Sequence, residues 1–112
     1  MPNVGNCGGI YETVIIASMS ESCNVRVSLH NCASTLCTKA SIQVCTASAN
    51  AMPLEIYPYF SDADDYVQIL KNPSEDSILD GKLRVTDEAG LGAVIDLPGM
   101  EKYLTFDSRQ KL

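Results

Sequence analysis

The clearest pattern in the chain is the alternation of "CNVRVSLH", residues 23–30. Cys23, Val25, Val27 and Leu29 fall on one face, and Asn24, Arg26, Ser28 and His30 on the other. A period of two marks a half-buried strand. "CTKASIQVCT", residues 37–46, alternates again, with Thr38, Ala40, Ile42 and Val44 on one side and Cys37, Lys39, Ser41, Gln43 and Cys45 on the other. Joined by "NCASTL", the two predict an antiparallel hairpin. A slip of one residue would bury Arg26 and Lys39, so the register follows from keeping the apolar faces together. It pairs Leu29 with Thr38, Val27 with Ala40, Val25 with Ile42 and Cys23 with Val44, and sets His30 opposite Cys37. Cys23 is then expected in the core.

The rest of the pattern is also read as strands. "YETVIIAS" (residues 11–18) is short and β-branched, and "MSES" turns the chain after it. "LEIYPYF" (54–60) is a strand that ends or lies at an edge at Pro58, which cannot donate to a ladder. "SDADDYVQIL" reads as a loop and a strand. In "SILDGKLRV" the pair Asp80-Gly81 is what a two-residue type I′ turn wants. "LGAVIDL" and "KYLTF" are two more strands, with "PGME" turning between them. About seven short strands predict an all-β fold, a single antiparallel β-sandwich or small barrel. Residues 1–10, Gly- and Asn-rich, are expected to form an extended N-terminal arm, and residues 11–112 a single β-sandwich domain.

Composition narrows the function. The chain has 112 residues, 46% of them apolar and 20% charged, and a net charge of −6 from 14 acids and 8 bases. It lacks the clustered basic face that phosphate backbones or anionic membranes attract. "MPNVGNCGGIYE" has neither the basic start nor the apolar core of a signal peptide, so synthesis in a cytoplasm is expected. No P-loop, GxGxxG, HExxH or GxSxG motif is present. The length also argues against an enclosed substrate site.

Five cysteines ask for an explanation. Cys32 and Cys37 have C-x₄-C spacing with His30 and Cys45 near, but the second pair of a structural zinc site is missing. His30 and Cys37 would be the one possible thiol dyad, on an exposed strand without an oxyanion loop. On a strand, Cys37 and Cys45 would stand about 26 Å apart, beyond disulfide reach. The remaining reading is inter-chain disulfides drawn from Cys7, Cys32, Cys37 and Cys45, or free thiols in subunit contacts. Asp62, Asp64 and Asp65 lack the Gly and Glu of a calcium loop and read as a solvated acidic turn. Tyr57, Tyr59, Phe60 and Tyr66 form a candidate binding surface for sugar rings.

The segments "YETVIIAS", "MSES", "CNVRVSLHN", "CASTL" and "TKASIQV" resemble those of small β-sandwich virion proteins of tailed bacteriophages, found in capsid decoration, neck and tail parts. The resemblance implies a non-enzymatic structural protein that stabilises a virion through subunit contacts. It implies homo-oligomers, a major capsid or tail protein as partner, no nucleic acid, no membrane, no cofactor and a location in the virion. Two alternatives stand beside it. One is a carbohydrate- or receptor-binding module; the other is a small thiol or metal enzyme built on His30, Cys32 and Cys37.

Overall fold

Two helices stand where two of the strands were expected. The computed structural model describes residues 1–56 and 69–103, with Lys102 placed by its backbone alone. The order is α1 (Ile10–Ser22), β1 (His30–Asn31), α2 (Thr35–Ala47), β2 (Glu55–Ile56) and α3 (Leu97–Met100). Short 3₁₀ turns occupy Ser74–Ser77 and Glu101–Tyr103. Three helices and two short parallel strands make a mixed α/β fold. The all-β sandwich or barrel is therefore incorrect.

α1 takes the place of the strand "YETVIIAS" and the turn after it. Thr13 and Ala17 are buried and Val14 packs on the core, so the buried positions follow a helical spacing. A short apolar run fits either period, and length decides between them. The signals at both ends were local. Gly9, at φ 97°, opens the helix and its carbonyl accepts from the Thr13 N–H. At the far end Asn24 takes the left-handed conformation, φ 57°. Its N–H bonds the Glu21 carbonyl and the Val25 N–H bonds the Ser20 carbonyl. These are the two bonds of a Schellman closure, in which Asn is the usual substitute for Gly.

α2 replaces the second strand of the expected hairpin. Ser34, in extended conformation, caps it by accepting from the Cys37 N–H at 3.2 Å. Cys37, Ala40, Ser41 and Val44, at positions i, i+3, i+4 and i+7, are all buried. Thr38, Lys39 and Ile42 are buried as well, because α2 lies against α1, β1 and the Ser74–Ser77 turn. Lys39 was expected on a solvated face.

The strands pair in parallel, His30 with Glu55 and Asn31 with Ile56, and a bridge between Val27 and Ala51 continues the pairing below them. Parallel neighbours need a long crossover, and α2 is that crossover. The alternation in "CNVRVSLH" is half right. Val27 and Leu29 are core residues, but Cys23 and Val25 are exposed where the chain leaves the α1 closure. The core joins Val4, Val27, Leu29, Cys37, Ala40 and Val44. In the N-terminal segment Asn3 and Val4 are buried, and Pro2 accepts a hydrogen bond from the His30 N–H on the edge of β1 away from β2.

The Asp80-Gly81 turn forms as read. Both residues have positive φ, 50° and 69°, and Leu79 and Lys82 exchange both backbone hydrogen bonds. The ladder stops at that single pair. "LGAVIDL" contributes one antiparallel bridge, Leu70 to Ile95, and "PGME" falls within α3 and the 3₁₀ turn after it. The strand expected beyond Ile56, the acidic segment 61–65 and the end of "KYLTF" lie outside the described residues.

Candidate active site

His30 is the residue on which the geometry converges. It ends the alternating segment on β1, its side chain on the face opposite Val27 and Leu29. Its Nδ1 lies 2.7 Å from Oε2 of Glu55 on β2. A carboxylate only accepts, so Nδ1 carries the hydrogen, and in the neutral ring the lone pair is then on Nε2. The two side chains are 36% and 47% exposed, and Nε2 has no hydrogen-bond partner among the described residues.

A register shift makes this pair. Three steps of chain separate Val27 from His30, while four separate their partners Ala51 and Glu55. The hydrogen bonds locate the extra residue. Met52 N–H bonds the Val27 carbonyl, and the next bond to this strand comes from Glu55 N–H to the Leu29 carbonyl, at 2.9 Å. In regular pairing Leu54 would make that bond and stand beside His30. The bulge over residues 52–54 carries Pro53, whose carbonyl accepts from the Ser28 hydroxyl at 2.8 Å. A one-residue slip turns side chains to the other face. Here it sends Leu54 to the core and Glu55 to the imidazole.

The residue after His30 anchors it. Asn31 is fully buried. Its amide donates to the Ser34 carbonyl at 3.0 Å and to the Thr38 hydroxyl at 2.6 Å, and its carbonyl accepts from the Ala33 N–H at 3.0 Å. Thr38 in turn donates to Glu75. The strand end, the turn into α2, α2 itself and the Ser74–Ser77 turn are thus tied together directly below the His30 backbone.

The other candidate residues do not gather here. His30 meets Glu55, so the His30–Cys37 dyad is not formed. Cys37 is buried, with its thiol donating to Asn3 Oδ1 at 3.8 Å, and Cys32 is exposed in the turn before α2. Cys7 and Cys45 are half-buried, and burial pushes the Cys45 thiol above its ordinary pKa. All five cysteines are free thiols. Among the described residues no three His, Cys, Asp or Glu side chains come together as a metal site. Tyr57, Tyr59, Phe60 and Tyr66 lie outside the described residues. Sequence reasoning picked out His30 but missed Glu55, whose one signal was its place near the start of "LEIYPYF", a segment read as a strand.

The family model for the enolase C-terminal domain-like fold matches residues 1–99. The chain belongs to this family. It is 31% identical over 104 residues to a D-xylonate dehydratase of Haloferax volcanii, covering 92% of this chain and 24% of that protein. A crystal structure from Mesorhizobium loti, described as that of a dehydratase, superposes with a TM-score of 0.78 at 40% identity, over 87% of this chain and 25% of the other. The chain thus spans about a quarter of the length of these relatives. Its βαβ unit is part of the enolase C-terminal barrel domain, in which functional side chains gather at the C-terminal ends of the strands.

These findings overturn the bacteriophage reading. The resemblance rested on an alternation that a βαβ unit satisfies as well as a hairpin does. A virion structural role, capsid or tail partners, subunits assembled in a lattice and a location in the virion have no support, because the relatives are dehydratases. The expectation of a non-enzymatic protein fails on the same ground. Sites of the enolase superfamily use a Lys or His base together with magnesium, which stabilises an ene-diolate. The described residues include one histidine, His30, but no converging set of metal ligands, so no step below is drawn through a metal.

Proposed function

We propose that this chain carries the proton-transfer pair of a lyase that removes water from a sugar acid. The observation behind this reading is the His30–Glu55 contact of 2.7 Å, which leaves Nε2 without a partner among the described residues at the ends of two parallel strands. The D-xylonate dehydratase relative supplies the substrate class.

In the proposed reaction, Nε2 of His30 takes the proton from the carbon next to the substrate carboxylate. The hydroxyl on the following carbon leaves with a proton as water, and the enol that remains tautomerises to a 2-keto-3-deoxy acid. Glu55 holds the Nδ1–H, fixes the tautomer and stabilises the imidazolium once the proton arrives, as a buried carboxylate does in a catalytic triad. The bulge and the Asn31 anchor hold the ring in place.

The test is formation of 2-keto acid from D-xylonate. His30→Asn is expected to lower kcat by about a hundred- to ten-thousand-fold, the usual worth of a positioned base. Glu55→Gln, whose amide can present a donor to Nδ1, is expected to lower it too. An active wild type with His30→Asn at full rate would refute the assignment.

A further inference from the structure

Lys39 lies in the middle of α2 and is only 8% exposed. It makes no hydrogen bond or ion pair with the described residues. The covered part is its aliphatic stem, and Nζ reaches the recess beside α2, where an anion or water can meet it. Space for one is present. Lys39 lines a cavity of about 190 Å³, with Gln43 one turn further along α2 and with Ser74, Ser77, Arg84 and Glu88 across from it. Arg84 likewise has no ion pair among the described residues.

The acid in the lining does not neutralise these two cations. The Glu88 carboxylate folds back over Gly92, which holds φ 60° and leaves no room for a Cβ there. It accepts from the Thr86 hydroxyl and forms no ion pair with Lys39 or Arg84. A chain of net charge −6 thus presents in one recess two cations that are unpaired among the described residues.

We propose that this cavity binds a small oxyanion, a phosphate or carboxylate group, between Lys39 and Arg84. The Arg84 guanidinium presents a planar fork that matches two oxygens of either group, and Lys39 supplies a point charge from below. The volume is under the 300–1,000 Å³ usual for whole small-molecule ligands, so it suits a single anionic group rather than an entire sugar acid. It shares no lining residue with His30 and Glu55. The site stands whether or not the dehydratase reading holds.

Calorimetric titration of the full chain at low salt, with inorganic phosphate and separately with acetate, tests the assignment. Saturable binding that weakens with ionic strength is expected, at least tenfold weaker in Lys39→Met and in Arg84→Gln. Binding of phosphate alone identifies a phosphate-bearing ligand, and binding of acetate as well identifies a carboxylate site. Arg84 is exposed, so Arg84→Gln decides the matter even if Lys39→Met does not fold. No binding of either anion, or binding unchanged in a folded Arg84→Gln variant, overturns the proposal.

Discussion

Thr38→Val tests the anchor beneath His30. Thr38 is fully buried, and its hydroxyl both accepts from the Asn31 amide at 2.6 Å and donates to Glu75 at 2.5 Å. Valine fills the same volume, so no cavity opens and the cost is polar. A hydrogen bond to a neutral partner contributes about 1 kcal/mol and one to a charged partner about 1.5–3 kcal/mol, more when a buried group loses its bond altogether. The expected loss is about 2–4 kcal/mol, or a Tm lower by roughly 10–20 °C in a domain of this size. Urea unfolding with an unchanged m-value measures it. Thr38→Ser keeps the hydroxyl and is expected to retain most of the stability. The reasoning is refuted if Thr38→Val unfolds within about 0.5 kcal/mol of the wild type, the range of an ordinary surface change. It is equally refuted if Thr38→Ser loses as much as Thr38→Val.

Two more outcomes follow from the geometry. Deleting Pro53 removes the extra residue of the bulge, so Leu54 is expected beside His30 and Glu55 on the other face; D-xylonate turnover should then fall as far as in His30→Asn, and a deletion variant of normal activity would show that the bulge does not set the pair. Among the thiols, Cys23 and Cys32 are exposed and should alkylate first, while Cys37 is buried and Cys45 is held protonated by its desolvation. Raising the pH should go on speeding Cys45 beyond the ordinary thiol range, until its raised pKa is passed, as followed by peptide mass spectrometry. A thiol whose folded pKa is raised contributes stability that is complete below its unfolded pKa and lost as pH rises through the folded one, so this contribution should fade on the alkaline side only.

What could be read from the sequence follows the range of each interaction. The Asp80-Gly81 turn needs two residues with positive φ and nothing else, and it forms as read. Val27 and Leu29 alternate and are buried as expected. α2 defeated the same reasoning because its residues satisfy two periods together. Thr38, Ala40, Ile42 and Val44 alternate, while Cys37, Ala40, Ser41 and Val44 follow a helix, and all six residues are buried because α2 is covered on several sides. The Ser34 cap was the local sign that separates the two readings. The partner of His30 was harder still. Glu55 lies 25 residues along the chain, across a crossover and past a bulge, and no short window contains the three facts that join them.

The alternation that misled the fold assignment carries the division of labour in the site. Val27 and Leu29 turn inward to the core under α2, and Ser28 and His30 turn the other way. In a closed barrel with helices outside, that other face is the interior, and its C-terminal mouth is where the family places its chemistry. Stability and the proposed catalysis therefore rest on neighbouring positions of one strand, with opposite demands. Leu29, 1% exposed, cannot lose volume without leaving a cavity, whereas His30 is bound to the fold mainly through its backbone and one carboxylate. Asn31 reconciles the two, because it faces inward like Leu29 while fixing the backbone from which His30 projects. A single added residue at Pro53 does the same on β2, where it turns a core-facing register into one that presents a carboxylate.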